Sequence, residues 1–221
     1  MKIEVRIIPD ELDTRASFSH DGVSWDKAKA GIQPRLVSRK NNKEFLSAVP
    51  HRDFLDLAVT YTLPRPSTTV SNELMKEWGV DEPDLYAAAI KNAGAIQLVE
   101  RDLREYIGEI LHCEIDEPDN DNPGVVIIKA DVGDNGATCA LLCGKHRLRD
   151  FAAKHRSDVF IIPSSVYEIL IIPASDDIRA SFLLETLRKI NETEVTPDDR
   201  LSDNLYIYRR ATDEIEVIEE E

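Results

Sequence analysis

The chain is short of cysteine, of positive charge and of long apolar runs, and each shortage removes a class of protein. Three cysteines, Cys113, Cys139 and Cys143, in 221 residues are too few and too odd in number for a secreted disulfide framework. They read as reduced thiols of a cytoplasmic protein. No apolar stretch approaches the roughly 20 residues that span a bilayer. The opening residues 1–9 alternate charged and apolar side chains, the pattern of a strand and not of a signal peptide. Twenty-seven basic residues face 42 acidic ones, a net charge of −15, which opposes direct binding to nucleic-acid phosphates. There is no Walker loop, no G-x-G-x-x-G after a strand, no H-E-x-x-H and no G-x-S-x-G, so nucleotide, dinucleotide, zincin and nucleophile-elbow chemistries lose their usual signatures.

What is present suits a globular protein. Hydrophobic residues make up 42% of the chain and charged ones 31%, enough for a core and too balanced for wholesale disorder. Strands are predicted at 3–8, 35–38 and 54–63, the last ended by Pro64 and Pro66, which remove backbone donors. A helix begins at Asn41 or Asn42. Ser71 caps a second, which carries Leu74, Met75 and Trp78 and stops at Gly79. Asp81 caps a third with Pro83 in its first turn. A helix is predicted over 99–111, with Leu103, Tyr106, Ile107 and Ile110 on one stripe.

Residues 114–123 form an acidic loop and the best internal boundary, dividing an N-terminal part, 1–113, from a C-terminal part, 124–221, packed as one unit. Beyond it come a strand at 125–130, a tight turn at Asp134-Asn135-Gly136 and a returning strand at 137–142. A helix follows at 145–155, then strands at 158–162 and 166–172 joined through Pro163-Ser164-Ser165. A helix from Asp176 to Ile190 presents Phe182, Leu183, Leu187 and Ile190, and a hairpin closes the chain over 205–218. Trp78, Tyr106, Phe182 and Leu187 are expected in the core. The irregular mixture argues for an α+β fold, with mixed or antiparallel sheets and helices packed on one side.

Several strings resemble a bacterial family of unknown function, numbered 5688, found in gut bacteria and their mobile elements. They are Val49-Pro50-His51-Arg52-Asp53-Phe54-Leu55-Asp56-Leu57-Ala58, the stretch from Ser71-Asn72 to Trp78-Gly79-Val80, Leu85-Tyr86-Ala87-Ala88-Ala89, Gly136-Ala137-Thr138-Cys139, Phe160 to Glu168, and Leu201-Ser202-Asp203-Asn204-Leu205-Tyr206. They keep their order over about residues 33–210. The resemblance implies a shared fold and carries no activity with it. Where the family pattern has His before Glu168, this chain has Tyr167, so a His–Glu pair is unavailable here.

Four constellations carry chemistry on paper. Cys139, Cys143 and His146, with His112-Cys113 upstream, have the residue types of a zinc site. The Cys-Ala-Leu-Leu-Cys run, however, reads as buried thiols, and no metal or cofactor is expected. Residues 114–121 are rich in carboxylates yet lack the spacing, central glycine and final glutamate of an EF-hand. His51, Asp56, Ser164 and Glu168 are the weak candidates for a dispersed hydrolase or transferase site, with Asp53 able to orient His51. Lys145, His146, Arg147, Arg149, Lys154, His155 and Arg156 crowd one predicted helix, where internal ion pairing is the favoured reading. The leading expectation is a non-enzymatic interaction or regulatory protein that offers an acidic surface, with Asp116, Glu117, Asp119 and Asp121 at its centre, to a basic protein partner. Its sharper form is a mobile-element inhibitor that mimics nucleic-acid charge.

Overall fold

Alternating burial along β1 (Gln33–Ser38) marks a strand with one face on the core, and it is the first element of a four-stranded antiparallel sheet. A computed structural model describes residues 23–64, 67–111, 124–175 and 178–218. The expected strand at 3–8 and the acidic loop over 114–123 lie outside them. β1 pairs with β3 (Leu57–Pro64), Gln33 opposite Thr62 through Ser38 opposite Leu57. On the far side of β3 lie β2 (Arg52–Phe54) and β4 (Ser67–Thr69). The single strand expected over 54–63 is therefore a hairpin, turning through Leu55 and Asp56. Leu55 sits at φ 55°, the left-handed region that two-residue hairpins demand and that Gly or Asn usually fills. With neither residue there, the turn has no local signal.

Helices close this sheet. α2 (Lys43–Ala48) follows Asn42, whose amide donates to Ser38 O at 2.9 Å in place of capping the helix. α3 (Asn72–Trp78) starts where Ser71 Oγ accepts from Leu74 N, and ends at Gly79 with φ 68°. α4 (Glu82–Ala93) opens on a reciprocal capping box between Asp81 and Asp84. Trp78 is half-buried, its indole N–H donating to Val23 O and its ring 5.6 Å from that of Trp25 in α1 (Trp25–Ala28).

The second sheet has six antiparallel strands in the order β10-β9-β7-β8-β6-β5. Its edge strand β5 (Leu98–Asp102) is drawn from the segment expected to be helical throughout 99–111. Only α5 (Leu103–Leu111) is helix, begun where the Asp102 carboxylate accepts from Arg104 N at 2.8 Å. Next come β6 (Val126–Ala130), β7 (Val159–Ile162), β8 (Glu168–Pro173), β9 (Tyr206–Arg209) and β10 (Glu214–Val217).

Residues 137–142, expected to return as a strand, belong to α6 (Gly136–Cys143). This helix lies between the two sheets, buried on nearly every side, so its apolar residues show no period from which its type could be read. Leu36 N donates to Thr138 Oγ1 at 3.1 Å and the Asn135 amide to Pro34 O at 2.7 Å, tying α6 to β1. A Cβ on Gly136 would lie 2.6 Å from Ala130 N and collide with Tyr167 O, so only glycine admits this contact.

Val159 and Ile161 of β7 join the main core with α6 and α7 (Lys145–His155), while Phe160 and Ile162 face α8 (Ala180–Thr193) on the other side. Within α8, Leu183, Leu184 and Leu187 are buried. Phe182, expected in the core, is 61% exposed, and Tyr106 is half-buried.

Candidate binding cleft and charged surface

The hairpin turn that escapes sequence prediction builds a polar node that joins distant parts of the chain. Asp56 Oδ2 accepts from Ser202 Oγ at 2.7 Å and from Asn204 Nδ2 at 3.0 Å, and Oδ1 accepts from the Tyr206 hydroxyl. The first sheet is thereby joined to the segment that leads into β9. Burial and the Asp56 carboxylate push the Tyr206 phenol well above its ordinary pKa, so it remains a donor. Arg39 N closes the neighbouring turn on Asp56 O at 3.4 Å.

Above this node opens a cleft of about 280 Å³. Ser38 lines it from the end of β1, Lys40 and Asn41 from the turn that follows, Arg188 and Glu192 from α8, and Arg200, Leu201, Asp203 and Asn204 from the segment before β9. Three cations (Lys40, Arg188, Arg200) and three acids (Asp56, Glu192, Asp203) share the lining, a local balance within a chain of net charge −15. Asp203 accepts from Asn191 Nδ2 at 2.9 Å, and Arg200 Nη2 donates to Asn191 O. Sequence reasoning singled out Asp56 and missed the rest of the cleft. Lys40, Arg188 and Arg200 stand far apart in the chain and converge only through the packing of α8 against the second sheet.

The four weak catalytic candidates keep separate company. His51 is exposed, with its Nδ1 3.0 Å from Val49 O. Ser164 accepts the Leu201 backbone N–H through its carbonyl in the turn between β7 and β8. Glu168 accepts from Ser165 Oγ at 3.1 Å, and its pKa is raised by burial against the opposing pull of that hydrogen bond and of Lys129. Of the four, Asp56 alone lines the cleft. Tyr167 is exposed and donates to Asp199 at 3.0 Å.

Cys139 is buried in α6, where desolvation pushes its thiol up to about 12. Cys143 donates to Ile90 O at 3.8 Å. Among the described residues, no group of three or more His, Cys, Asp or Glu side chains could hold a metal ion. His112, Cys113 and the residues named for partner binding, Asp116, Glu117, Asp119 and Asp121, lie outside the described residues.

The basic helix α7 is largely paired within the molecule. Arg147 meets Glu100 at 2.6 Å, Arg149 meets Asp213 at 2.6 Å, and Lys145 meets the same carboxylate at 3.4 Å. The Arg149 fork and the Tyr208 hydroxyl hold the Asp213 carboxyl well below the usual range.

Fold and surface together define an antiparallel α+β protein with a small polar cleft between its two sheets. The chain matches the family of unknown function DUF5688 over residues 5–210 and belongs to it. No curated protein and no solved structure matches the chain. No helix among the described residues is long and apolar enough to cross a membrane.

Proposed function

We propose that this protein is a non-enzymatic interaction or regulatory protein of the cytoplasm whose acidic surface engages a basic protein partner. The observation that carries this reading is the fate of its densest cationic stretch. Lys145, Arg147 and Arg149 of α7 are engaged by Glu100 and Asp213, while Glu192, Glu194 and Asp198 stand exposed at the end of α8 and beyond it. The surplus of acids is therefore turned outward, and opposed potentials across an interface steer association and fix partner choice. In its sharper form the protein is an inhibitor, carried by a mobile element, that presents a nucleic-acid-like charge array to a nuclease or defence complex.

A hydrolase or transferase working through His51, Asp56, Ser164 and Glu168 is the weaker reading, because Asp56 alone of the four lines the cleft and its carboxylate is taken up by Ser202, Asn204 and Tyr206. The test is capture of binding proteins on the full chain at low and at high salt, followed by kinetics with the purified partner. A basic protein held at low salt and released at high salt is the expected result. Capture indifferent to salt, or of an acidic partner, overturns the reading.

A further inference from the structure

The cleft beside Asp56 contains donors that the protein itself does not satisfy, and we propose that it binds a small oxyanion, a phosphate or carboxylate group, between Lys40 and Arg200. The argument rests on how the lining charges are engaged. Both oxygens of Asp56 accept hydrogen bonds from within the protein, three in all, and Asp203 accepts one from Asn191. These two acids are held as parts of the wall.

The cations differ. Arg200 places Nη2 on Asn191 O and its Nε is enclosed, while its Nη1 has no hydrogen-bond partner among the described residues and keeps donors to offer. Lys40, exposed at the opposite lip, makes no hydrogen bond or ion pair among the described residues. A planar guanidinium suits a bidentate oxyanion and an ammonium adds a point charge, a pairing that recurs wherever phosphates and carboxylates are held. Asn41 and Ser38 on the same lip offer further polar atoms. At about 280 Å³ the cleft is at the small end of ligand pockets, which suits a compact metabolite and excludes a polymer from its interior. Exposed Glu192 at the rim offers an acceptor to an amino or hydroxyl group beside the anion. This inference is independent of the acidic surface: an oxyanion in the cleft neither requires nor forbids a basic protein partner.

Isothermal titration of the full chain with inorganic phosphate and, separately, with citrate decides the matter, at ionic strength held constant with chloride so that general screening cancels. Saturable binding of at least one of the two is expected, with a matching rise in melting temperature. Phosphate alone points to a phosphate ester as the natural ligand, citrate alone to a carboxylate, and either result supports the shared chemistry. Lys40→Ala, an exposed change that leaves the core untouched, should weaken the binding about tenfold, as should Arg200→Gln. Lys91→Ala, on the exposed side of α4, should leave it unchanged. Failure of both anions to saturate, or equal affinity in the wild type and Lys40→Ala, overturns the proposal whether or not Arg200→Gln folds.

Discussion

Asp56 is only half-buried, yet three donors from the 202–206 segment converge on it. Replacing it with Ala leaves the Tyr206 hydroxyl, on a residue with no exposed surface, without an acceptor. Orphaned buried donors cost about 1–3 kcal/mol each, so Asp56→Ala should lower unfolding stability by about 2–4 kcal/mol in urea titrations. Tyr206→Phe, which removes donor and demand together, should lose about 1 kcal/mol. Equal losses would mean that Asp56 does not organise the node. The buried acids of opposite character set a limit at high pH. Cys139 and Tyr206 have folded pKa values raised above those of the unfolded chain. As pH rises the unfolded state therefore releases its proton first, and stability present below about 8.5 declines above it. The Cys139 contribution fades between that point and about 12. Cys139→Ala should make the decline between about pH 8.5 and 10 shallower without abolishing it, because burial raises the Cys143 thiol as well, and the tyrosines take over above about pH 10. Melting temperatures across pH 7–11, in wild type and variant, check this, and superimposable curves would refute it.

Elements were legible where side chains carry a period or a cap. β1, α3, α4, α7 and the closing hairpin all follow from alternation, from Ser71, Asp81 and Gly79, or from helical spacing, and they stand where expected. Two misreadings share a physical cause. α6 is buried all round, so Ala137–Leu142 offers neither helical nor strand periodicity, and its true marker is Gly136, which reads equally well as a hairpin glycine. The β2–β3 turn puts Leu55 in a conformation that its side chain does not advertise. In the cleft, Asp56 could be nominated from sequence, while its partners could not, since contacts across about 146–150 positions leave no local trace. Two substitutions test the element assignments. Gly136→Ala should cost about 3 kcal/mol or more, because the new methyl meets backbone that cannot move without parting β6 from β8. On α8, Leu187→Ala should cost about 2–5 kcal/mol, since Leu187 has no exposed surface. Phe182→Ala, at 61% exposure, should change stability by about half a kilocalorie or less.

At the scale of the whole molecule the dominant fact is charge: a −15 chain whose most basic helix is tied down by its own carboxylates. If that charge recognises a basic partner, association is steered by a field that salt screens over about 8–10 Å. The association rate should then fall steeply between low and physiological ionic strength while dissociation changes less. The carboxylates should also contribute unequally. Asp116, Glu117, Asp119 and Asp121 carry four charges, whereas Glu219, Glu220 and Glu221 carry three. Replacing the four loop acids by their amides should therefore slow association more than deleting the three terminal glutamates does. Double-stranded DNA should show no affinity for the protein, yet it should compete for the same partner, because both present dense negative charge to one basic surface. Stopped-flow or surface-binding kinetics at several salt concentrations, with wild type, loop variant and tail deletion side by side, measure all three effects. Association that ignores salt, or a loop variant that binds as fast as the wild type, would reduce the acidity to a means of staying dissolved and move the search for the contact surface elsewhere.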